Sequence, residues 1–486
     1  MDNIAFPKGN LKYTNDHSLK LLRLQSSLGE NILLGVEAIG LGYNPFIPNA
    51  GYATVSSGTV QLFDWAYANM KKVSFMPEFE VPDVVDVQQE DRSSYRNITG
   101  KTITEYQSKL ATNVAMKGNY HFFSGSLSID YEENSLRNAE NEFTRIQQTI
   151  NLWSLRLYVI KSLRSLMKAE IREQLDELDT NNPDAISVFF NRFGSHFLTG
   201  IVMGGRATLA SSTDKLSVKR DYSISTVAQA SYEGLTGQLS AENRTKYGES
   251  ISSFSQYSTS HQEVLGGNGG LASGVFTGKE GYQKWVDSVG SSPDFVDFVP
   301  TMPMEEIWRL CENEQQANAM ASHYNNVWAP EQSAKYKINP NYINELIVIT
   351  GGSSTITPPP GYTKIPYDLN KGSDGDFIYL CYHEQEWISD NPKQAITNIQ
   401  IIYNDEKTPT GYIKLPQDLN KGADGAYIYL CYKKEDYHLD TAIKKITVIG
   451  GNNADINAPY GYKKIPGDLN KGADGQYIYV CTFVEA

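Results

Sequence analysis

The sequence predicts an α+β domain followed by an all-β domain, in which three equivalent sheets form a threefold prism. The first observation is length, because 486 residues exceed what one hydrophobic core usually supports. The second is a motif that occurs three times in the last third of the chain, at a spacing of 50 residues. The third is that the remaining sequence mixes strand-like alternation with an amphipathic helical stretch. We therefore place the α+β domain at residues 1–340 and the prism at residues 341–486.

Composition limits the partners of this chain. The 43 basic and 56 acidic residues give a net charge of −13, which argues against a nucleic-acid partner. No apolar run reaches the roughly 18 residues of a transmembrane helix, and the first residues lack the basic and apolar regions of a secretory signal. We therefore expect a chain that is soluble before it meets a membrane and that leaves its cell without a recognisable signal peptide.

The elements of the first domain follow from hydrophobic spacing. Alternating apolar residues predict strands at residues 143–158, 205–212 and 252–265. Apolar residues at helical spacing predict a helix at 161–178. A further helix is expected at 185–193, and a tight turn should lead from it into a kinked strand. Most candidate functional residues of this region lie in the expected turn and kink.

Two glycine-containing clusters mark this turn and kink. The first is the aromatic, Gly, Ser, His, aromatic run that precedes a Gly-Gly pair by six residues, and the second is another Gly-Gly pair further along the chain. Paired glycines inside a strand often mark a bend or a close backbone approach. The residues themselves describe a helix-to-strand corner with an interior histidine. The candidate hinge residues are Phe193, Gly194, Ser195, His196, Phe197, Gly204, Gly205, Gly266 and Gly267.

The stretch FGSHF-x6-GG resembles the signature of the membrane attack complex/perforin family, whose usual form begins with Tyr or Trp where this chain has Phe193. The segment 41–46 is similar to the opening turn of such domains, and the resemblance covers roughly residues 30 to 335. It implies a bent antiparallel sheet flanked by two helical clusters, as in cholesterol-dependent cytolysins. The same resemblance implies a further helix at 304–324. It also implies that rings of subunits convert these clusters into membrane-spanning β-hairpins.

Two segments, 101–142 and 215–258, are rich in small polar residues and fit both a helix and a strand. Half of such a segment reaches about 70 Å as a strand, whereas about 10 residues cross a bilayer. Ordinary surface helices with Ser- and Thr-rich connections give similar patterns, and Arg220 and Lys246 are unfavourable against lipid. The candidate insertion residues are Ile103, Leu110, Val114, Phe123, Leu127, Ile129, Leu216, Val218, Tyr222, Ile224, Ala228 and Tyr232.

The repeats begin at Gly361, Gly411 and Gly461 and share the pattern GY..(I/L)P.DLN.G..G..IY. Each copy contains a strand after a turn cluster, and three such units can bury their apolar faces on a common axis. The pattern resembles the β-prism module of some vesicle-sorting proteins, which implies a membrane- or headgroup-binding element. The cysteines Cys381, Cys431 and Cys481 recur at the repeat spacing, so we interpret them as small buried residues.

Two features of the repeats are candidate ligand sites. The DLNKG turns place oxygen atoms at alternate positions, which resembles a calcium loop, although an Asx-turn that satisfies its own backbone explains the same residues. The candidate calcium ligands are Asp368, Asn370, Asp374, Asp418, Asn420, Asp424, Asp468, Asn470 and Asp474. Lysine pairs are candidates for anionic headgroups, or else solvated blockers of strand edges. These lysines are Lys433, Lys434, Lys444, Lys445, Lys463 and Lys464.

These patterns favour a pore-forming protein that binds a target membrane lipid or receptor and assembles with further copies of itself into a ring. The alternative is a non-lytic adhesion or delivery protein of the same fold. An enzyme is not expected, because the chain lacks HExxH, GxSxG, P-loop and CxxC motifs and its seven histidines are dispersed. No cofactor is required by this interpretation.

Overall fold

The computed structural model describes residues 4–8, 10–13, 29, 31–46, 60–113, 131–158, 161–219, 221–302, 304–336, 338–386 and 394–484. The chain divides into two compact units. The first contains residues 1–136 and 141–337, and the second contains residues 137–140 and 338–486. Among the described residues, no helix combines the length and the hydropathy that crossing a membrane requires.

The first unit is built on a seven-stranded sheet with the order β1-β10-β9-β7-β5. In addition, β6 pairs with β7, and β11 pairs with β9. The remaining strands of the unit form a three-stranded sheet, β12-β8-β2, and a hairpin, β3-β4. The strands are β1 Asn10–Tyr13, β2 Gly42–Tyr43, β3 Met70–Val73, β4 Met76–Pro82, β5 Val85–Gln89, β6 Ser93–Gly100, β7 Asn141–Leu157, β8 His196–Leu198, β9 Gly200–Asp214, β10 Ser258–Leu265, β11 Asp294–Phe298 and β12 Met304–Glu306.

Helices flank this sheet. The α-helices are α1 Ile103–Asn113, α2 Glu133–Leu136, α3 Ala169–Asp176, α4 Pro183–Phe193, α5 Ile224–Leu235, α6 Ala241–Tyr257, α7 Lys279–Val289, α8 Glu314–His323 and α9 Ala329–Tyr336. Short 3-10 turns occur at Trp65–Tyr67, Lys161–Leu166, Gly269–Gly274 and Ile307–Leu310, and a π-helical turn, Tyr324–Trp328, joins α8 to α9.

The helix predicted at residues 185–193 is confirmed as α4. Its start is set by Asn182, whose side chain accepts a hydrogen bond from the Asp184 backbone N–H, and by Pro183 in the first turn. Its end is set by Gly194, whose φ of 87° lies in a region that other residues avoid. The predicted turn into a kinked strand therefore begins where the sequence places the glycine.

Three predicted elements need correction. The helix predicted at 161–178 is divided into a 3-10 turn, Lys161–Leu166, and the short helix α3, Ala169–Asp176. The strand predicted at 252–265 begins only at Ser258, because Ile251 and Phe254 share one buried face of α6 at helical spacing. The helix predicted at 304–324 begins as strand β12, which pairs with β8, and α8 starts only after Asn313. The Asn313 side chain accepts hydrogen bonds from two backbone N–H groups of the first turn and so fixes this later start.

The core of the first unit lies between the sheet and helices α5, α6 and α7. Ile146 of β7 and Leu209 of β9 provide the sheet side, and Val227, Phe254 and Trp285 provide one residue from each helix. All five side chains are 2% exposed or less. Burying a large apolar side chain contributes about 1.5–3 kcal/mol, so this layer holds the helices on the sheet.

The second unit contains three three-stranded sheets, one for each repeat. In each sheet the strand that follows the DLNKG turn is central, and the long strand and a short strand of the repeat pair with it. The strands are β13 Tyr342–Gly351, β14 Thr363–Lys364 and β15 Phe377–Gln385; β16 Gln394–Tyr403, β17 Tyr412–Lys414 and β18 Ile428–Asp436; and β19 Lys445–Gly451, β20 Lys463–Lys464 and β21 Tyr477–Phe483. Residues from all three sheets form one apolar core.

The three DLNKG loops are joined in a closed cycle of backbone hydrogen bonds. The Asp376 N–H donates to the Lys421 carbonyl at 3.2 Å, and the Ala426 N–H donates to the Lys471 carbonyl at 3.1 Å. The Gln476 N–H then donates to the Lys371 carbonyl at 3.2 Å and completes the cycle. Each repeat therefore satisfies a polar group of the next one, which explains why the motif occurs three times without interruption.

Candidate functional site

The Phe193–Phe197 corner is a close-packed junction between α4 and β8. A Cβ at Gly194 would lie 2.3 Å from the Tyr43 backbone nitrogen, so only glycine fits there. Ser195 is fully buried, and its hydroxyl lies 2.9 Å from Nδ1 of His196, which is 4% exposed. The imidazole ring is 5.3 Å from the ring of Tyr324. The serine and histidine therefore brace a buried corner.

The four paired glycines meet at one place in the central sheet, where we expect the bend. A Cβ at Gly204 would lie 1.9 Å from the Ile150 carbonyl oxygen of the neighbouring strand β7. A Cβ at Gly266 would lie 2.3 Å from the Gly204 carbonyl oxygen, and Gly266 has a φ of 67°. The register between β7 and β9 shifts at the same level. The two Gly-Gly pairs thus allow three backbones to approach closely at the bend.

A tryptophan of the core packs on these glycines. Its indole N–H, at Trp285 of α7, donates to the Gly266 carbonyl at 2.9 Å. Cβ atoms at Gly205 and Gly267 would lie 3.0 and 2.6 Å from atoms of the same ring. The sequence indicated these glycines, but not that a single aromatic ring from another helix covers two of them.

The two candidate insertion segments connect strand ends that are already paired. The first segment follows Gly100, which pairs with Phe143 across β6 and β7. The second follows β9, in which Thr213 pairs with Ser258 of β10. Each segment therefore leaves the sheet and returns to it on the neighbouring strand. This is the connection that a β-hairpin makes, although helices occupy much of the second segment and the described ends of the first.

Most described candidate insertion residues are buried against the sheet. Ile103 and Leu110 of α1, and Val218, Ile224, Ala228 and Tyr232 of the second segment, are at most 6% exposed, whereas Leu216 and Tyr222 are half-buried. Val114, Phe123, Leu127 and Ile129 lie outside the described residues. The apolar face that the strand pattern indicates thus faces the core while the second segment is helical.

Comparison with known proteins identifies this architecture. A model of the MAC/Perforin domain matches residues 26–333, which is more than half of the chain. The chain belongs to the MAC/perforin family. It is 32% identical over 125 residues to human Perforin-1, a match that covers 22% of this chain and 22% of that protein. The chain therefore spans about a fifth of that relative.

Solved structures agree with the MAC/perforin fold. GNIP1Aa from Chromobacterium piscinae is similar with a TM-score of 0.57 and 18% sequence identity, over 92% of this chain and 82% of that one. At this identity the likeness shows the fold alone. A MAC/Perforin-domain protein from Bacteroides thetaiotaomicron, titled a putative cell invasion protein, matches 65% of this chain and 63% of its own, with 13% identity and a TM-score of 0.37. Together with the family match, the likeness to GNIP1Aa confirms the predicted α+β MAC/perforin fold of the first unit.

The MAC/perforin sheet contains a buried ionic network that sequence reasoning missed. Arg206 of β9 donates to the Glu263 carboxylate of β10 at 2.8 Å, and the two side chains are 1% and 5% exposed. Arg145 of β7 lies 3.9 Å from the same carboxylate. Arg96 of β6 pairs with Asp297 of β11 at 2.9 Å. Burial raises the pKa of Asp297, and the nearby arginines partly oppose this shift.

Glu37 is a buried carboxyl group that belongs to none of these arginine pairs. Both of its oxygens accept the Gly35 backbone N–H, at 2.9 and 3.0 Å, and the side chain is 3% exposed. Burial raises the pKa of Glu37 to about 7, and the negative charge of Asp294 adds to this shift while backbone hydrogen bonds oppose it. An acidic residue in the apolar run of residues 33–41 was the signal that could have identified it.

We expect the stability of the MAC/perforin domain to depend on pH through Glu37. Its pKa in the folded protein, about 7, exceeds the ordinary value of 4.5 for a glutamate, so the protonated form stabilises the fold. This contribution is complete below about pH 4.5 and is lost as the pH rises through about 7. The wild-type free energy of unfolding should therefore fall by about 2–3 kcal/mol between pH 5 and pH 8, and Glu37→Gln should remove this fall. Urea unfolding at pH 5 and pH 8 measures this, and an unchanged pH dependence in the variant would contradict it.

The DLNKG loops use their own candidate calcium ligands internally. The Asp368 carboxylate accepts the backbone N–H groups of Asn370 and Ile378, at 3.1 and 3.0 Å. The Asn370 amide donates to the Asp374 carbonyl at 3.0 Å. Asp418 and Asp468 accept the equivalent pairs of N–H groups. In the described part of the chain, no three His, Cys, Asp or Glu side chains gather as a metal site. This geometry favours the Asx-turn interpretation.

The buried asparagines of these loops are not equally satisfied. Asn370, Asn420 and Asn470 are each 2% exposed. The Ser373 hydroxyl donates to Oδ1 of Asn470 at 3.1 Å across the repeat boundary, whereas Oδ1 of Asn370 and of Asn420 is buried without a hydrogen-bond partner in the structure. The second and third repeats have Ala423 and Ala473 where the first has Ser373. The cyclic order of the loops places Ala423 opposite Asn370.

We therefore expect Ala423→Ser to stabilise the second unit and Ser373→Ala to destabilise it, each by roughly 1 kcal/mol. The added hydroxyl would satisfy Asn370 as Ser373 satisfies Asn470, and its removal would leave a third amide oxygen without that donor. Thermal unfolding of the full chain, followed through both units, measures the effect. Equal midpoints for both variants and the parent would refute this account of the loops.

The lysine pairs are less available than the sequence suggested. Lys444 needs correction, because it is fully buried and its ammonium group donates to the Ala442 carbonyl at 3.1 Å. A buried ammonium cannot reach a headgroup. Lys445 pairs with Glu384 at 2.7 Å, whereas Lys463 is exposed. The other candidates also contact groups of their own unit, namely Lys433 with Glu435, Lys434 with the Tyr432 ring and Lys464 with the Ile456 carbonyl.

The described cysteines carry no disulfide. Cys381, Cys431 and Cys481 are free and buried at equivalent positions of the three central strands, and Cys311 is free and half-buried. Burial raises the pKa of the Cys381 and Cys481 thiols to about 11, so neither is a reactive thiolate near neutral pH. The interpretation of the repeated cysteines as small buried residues is confirmed.

Proposed function

We propose that this MAC/perforin protein forms pores in a target membrane by converting its two helical segments into β-hairpins. The observation that carries the proposal is the register at both segment ends. Gly100 already pairs with Phe143, and Thr213 already pairs with Ser258. Each hairpin can therefore grow from the sheet without sliding any strand, a change that would otherwise invert every side chain.

The same register sorts the second segment into two faces. Continuing the Thr213–Ser258 pairing places Leu216, Tyr222 and Ile224 on one face, opposite Ser255, Glu249 and Tyr247. The other face receives residues that are mostly polar on both strands. They are Ser217, Asp221, Ser223, Ser225 and Gln229 with Glu242, Arg244 and Lys246. The charge of Lys246, which seemed unfavourable for insertion, therefore faces the lumen.

The charges that remain on the apolar face lie near the sheet. Arg220, which is outside the described residues, and Glu249 are diagonal neighbours of opposite sign in this register. The outer half of the hairpin, which would cross the bilayer, presents no charged residue on that face. Its residues are Thr226, Ala228, Ala230, Tyr232, Leu239, Ala241, Asn243 and Thr245. Because about 10 residues per strand cross the hydrocarbon, this half is long enough.

A single copy cannot complete this change. Two hairpins in lipid leave open sheet edges, and each unpaired backbone group there costs several kcal/mol. Several copies must therefore close a common barrel, and the protein should form rings on the membrane. We assign no catalytic role to Ser195 and His196, since both are buried at the corner. The chain acts, in this proposal, at the membrane of a target cell after export.

The second unit is the part that we propose as a prism-shaped target-binding module, for a lipid headgroup or a membrane receptor. Three equivalent sheets on one core present three equivalent sets of loops, which suits binding at a surface with several contacts. No calcium is required, because the loop side chains already satisfy the loop backbone. Among the candidate lysines, the exposed Lys463 is the most accessible to an anionic headgroup.

Dye release and pelleting of natural-lipid vesicles test the proposal together. Pore formation predicts that the full chain pellets with vesicles, releases the dye and forms rings visible by electron microscopy. Hydrogen exchange of the membrane-bound protein should show a changed pattern of amide protection in α5 and α6, as expected if both helices become paired strands. Pelleting with intact vesicles and unchanged helices would instead establish an adhesion protein.

A further inference from the structure

The three repeats of the second unit differ in the loop that joins the long strand to the short strand. Each short strand contains a lysine that pairs with the repeated cysteine, and these lysines are Lys364, Lys414 and Lys464. Ile349 and Ile402 are equivalent residues of the long strands, because each pairs with the tyrosine two positions before that cysteine. Ile349 lies 15 positions before the lysine of its repeat, whereas Ile402 lies 12 positions before its own. The loop of the second repeat is therefore three residues shorter.

In the first repeat this loop folds over the sheet and satisfies its lysine. The Lys364 ammonium donates to the Ser354 carbonyl at 3.2 Å and to the Ile356 carbonyl at 2.8 Å. The Ile356 side chain packs on the end of the long strand, where a Cβ at Gly351 would lie 2.8 Å from it. The same ammonium lies 4.4 Å from the centre of the Tyr379 ring, which is 6% exposed. The loop thus provides two acceptor oxygens and one branched aliphatic side chain.

The third repeat has a loop of the same length and repeats these contacts. The Lys464 ammonium donates to the Ala454 and Ile456 carbonyls, at 3.3 and 2.9 Å. Between residues 352–357 and 452–457, the two loops have only the isoleucine in common. The sheet therefore requires the shape of the turn and one branched aliphatic side chain, and not a longer sequence.

The second repeat leaves the equivalent lysine without these acceptors. The Lys414 ammonium lies 3.4 Å from the centre of the Tyr429 ring, and the described part of the chain gives it no hydrogen bond or ion pair. Tyr429 is half-buried, whereas its counterpart Tyr479 in the third repeat is 9% exposed. The shorter loop closes on itself, because the Glu406 carboxylate accepts the Tyr403 backbone N–H at 3.0 Å. It therefore does not replace the missing turn.

The residues that this loop leaves uncovered form a small polar and aromatic face on the second sheet. Tyr429 points away from the shared core, because its neighbours Ile428 and Leu430 belong to that core. On the same face, the Gln400 amide donates to the Tyr412 hydroxyl at 3.1 Å. We call this set the open face, and its residues are Gln400, Tyr412, Lys414 and Tyr429.

The open face suits carbonyl oxygens better than an anion. Lys433, which pairs with Tyr412 across the strands, is held by Glu435 at 2.6 Å. Strong phosphate and carboxylate sites commonly use the guanidinium fork, and the chain has no arginine after Arg309. In the other two repeats, by contrast, the equivalent lysines bind backbone carbonyls. The sister repeats therefore show which chemistry fills this place.

We propose that the open face binds an exposed peptide turn of a protein receptor. The turn takes the place that residues 353–356 take in the first repeat. Two of its backbone carbonyls accept hydrogen bonds from the Lys414 ammonium, and its branched aliphatic side chain packs against the sheet. The inference rests on the proposed function, because it specifies the partner of the target-binding module as a protein and not a lipid headgroup.

A saturation-transfer NMR titration of the full chain with a cyclic peptide of residues 352–357 tests the open face without any membrane. We expect binding, with the strongest transfer at the isoleucine methyl groups of the peptide. Lys414→Met keeps the aliphatic stem but removes the ammonium, and it should weaken binding at least about tenfold, as expected when hydrogen bonds to a charged group are lost. Lys364→Met is the matched control and should bind like the parent. No binding to the parent, or equal binding to Lys414→Met, would overturn the proposal.

Exchange of the loops guards against an indirect effect of the lysine substitution. Residues 351–360 in place of residues 404–410 should cover the open face from within and abolish binding of the peptide. The reverse exchange should uncover the Lys364 position and create a second site for the peptide. Circular dichroism checks that both variants fold. A folded first variant that binds the peptide like the parent would reject the proposal.

Two further outcomes separate this site from an anion site and from pore formation. If inorganic phosphate binds the parent but not Lys414→Met, while the peptide binds neither, the open face is an anion site and the proposal fails. If the peptide binds as expected but vesicles stay sealed, the docking site stands and pore formation fails. If the full chain releases dye but does not bind the peptide, pore formation stands and the docking site fails.

Discussion

A disulfide between α5 and β6 should abolish dye release, the largest functional effect that we expect. The Ser225 hydroxyl donates to the Asn97 side-chain oxygen at 3.1 Å, and the Asn97 amide donates to the Ser225 carbonyl at 3.4 Å. The variant Asn97→Cys with Ser225→Cys therefore joins two neighbouring positions. Because α5 must leave the sheet to become a strand, the oxidised variant should bind vesicles and release less than about 1% of the parent's dye per unit time, a barrier of at least about 3 kcal/mol.

The controls for this lock are the two single cysteine variants and the reduced double variant. Neither site belongs to the buried core, since Asn97 is exposed and Ser225 is half-buried, so the substitutions themselves should cost little stability. Reduction after binding should start release on vesicles that already carry the protein. Full release from the oxidised variant, with the disulfide verified by mass spectrometry, would show that α5 does not move.

The sequence predicted those parts of the site that depend on local backbone requirements. Gly194 ends α4 because of its positive φ, and the Gly204 and Gly266 pairs mark a bend because no side chain fits between the strands. Such requirements leave a signature at the residue itself. The segment between β9 and β10 was also identifiable, because Val218, Ile224 and Ala228 fit a helix and a strand at once.

The parts that the sequence did not reveal depend on partners distant along the chain. The Arg206–Glu263 pair joins residues that are 57 positions apart. Nothing in the pattern of either strand indicates that the two charges meet in the buried part of the sheet. The parallel pairing of β1 with β10 spans about 250 positions and has no local signal. The later start of α8 was missed for another reason, since the cap at Asn313 outweighed a continuous helical pattern.

Alanine at Gly204 should cause the largest loss of stability among single substitutions at the site. The new Cβ would lie 1.9 Å from the Ile150 carbonyl oxygen and 3.3 Å from the Asn151 Cα, so the strand itself must move. Overpacking usually costs 1–3 kcal/mol when side chains can adjust. Here the contact is with backbone in the middle of the sheet, and we expect roughly 4 kcal/mol or more, a loss that most domains cannot tolerate.

Gly290→Ala is the matched control for this prediction. No atom lies within 4 Å of a Cβ built at Gly290, and its φ of −58° suits any residue. Alanine there should change the free energy of unfolding by less than about 0.5 kcal/mol or stabilise the fold slightly. Urea unfolding of both variants measures the difference. If Gly204→Ala unfolds at the same urea concentration as Gly290→Ala, the sheet accommodates a side chain at this position. Close packing of the backbones would then not be the reason for the paired glycines.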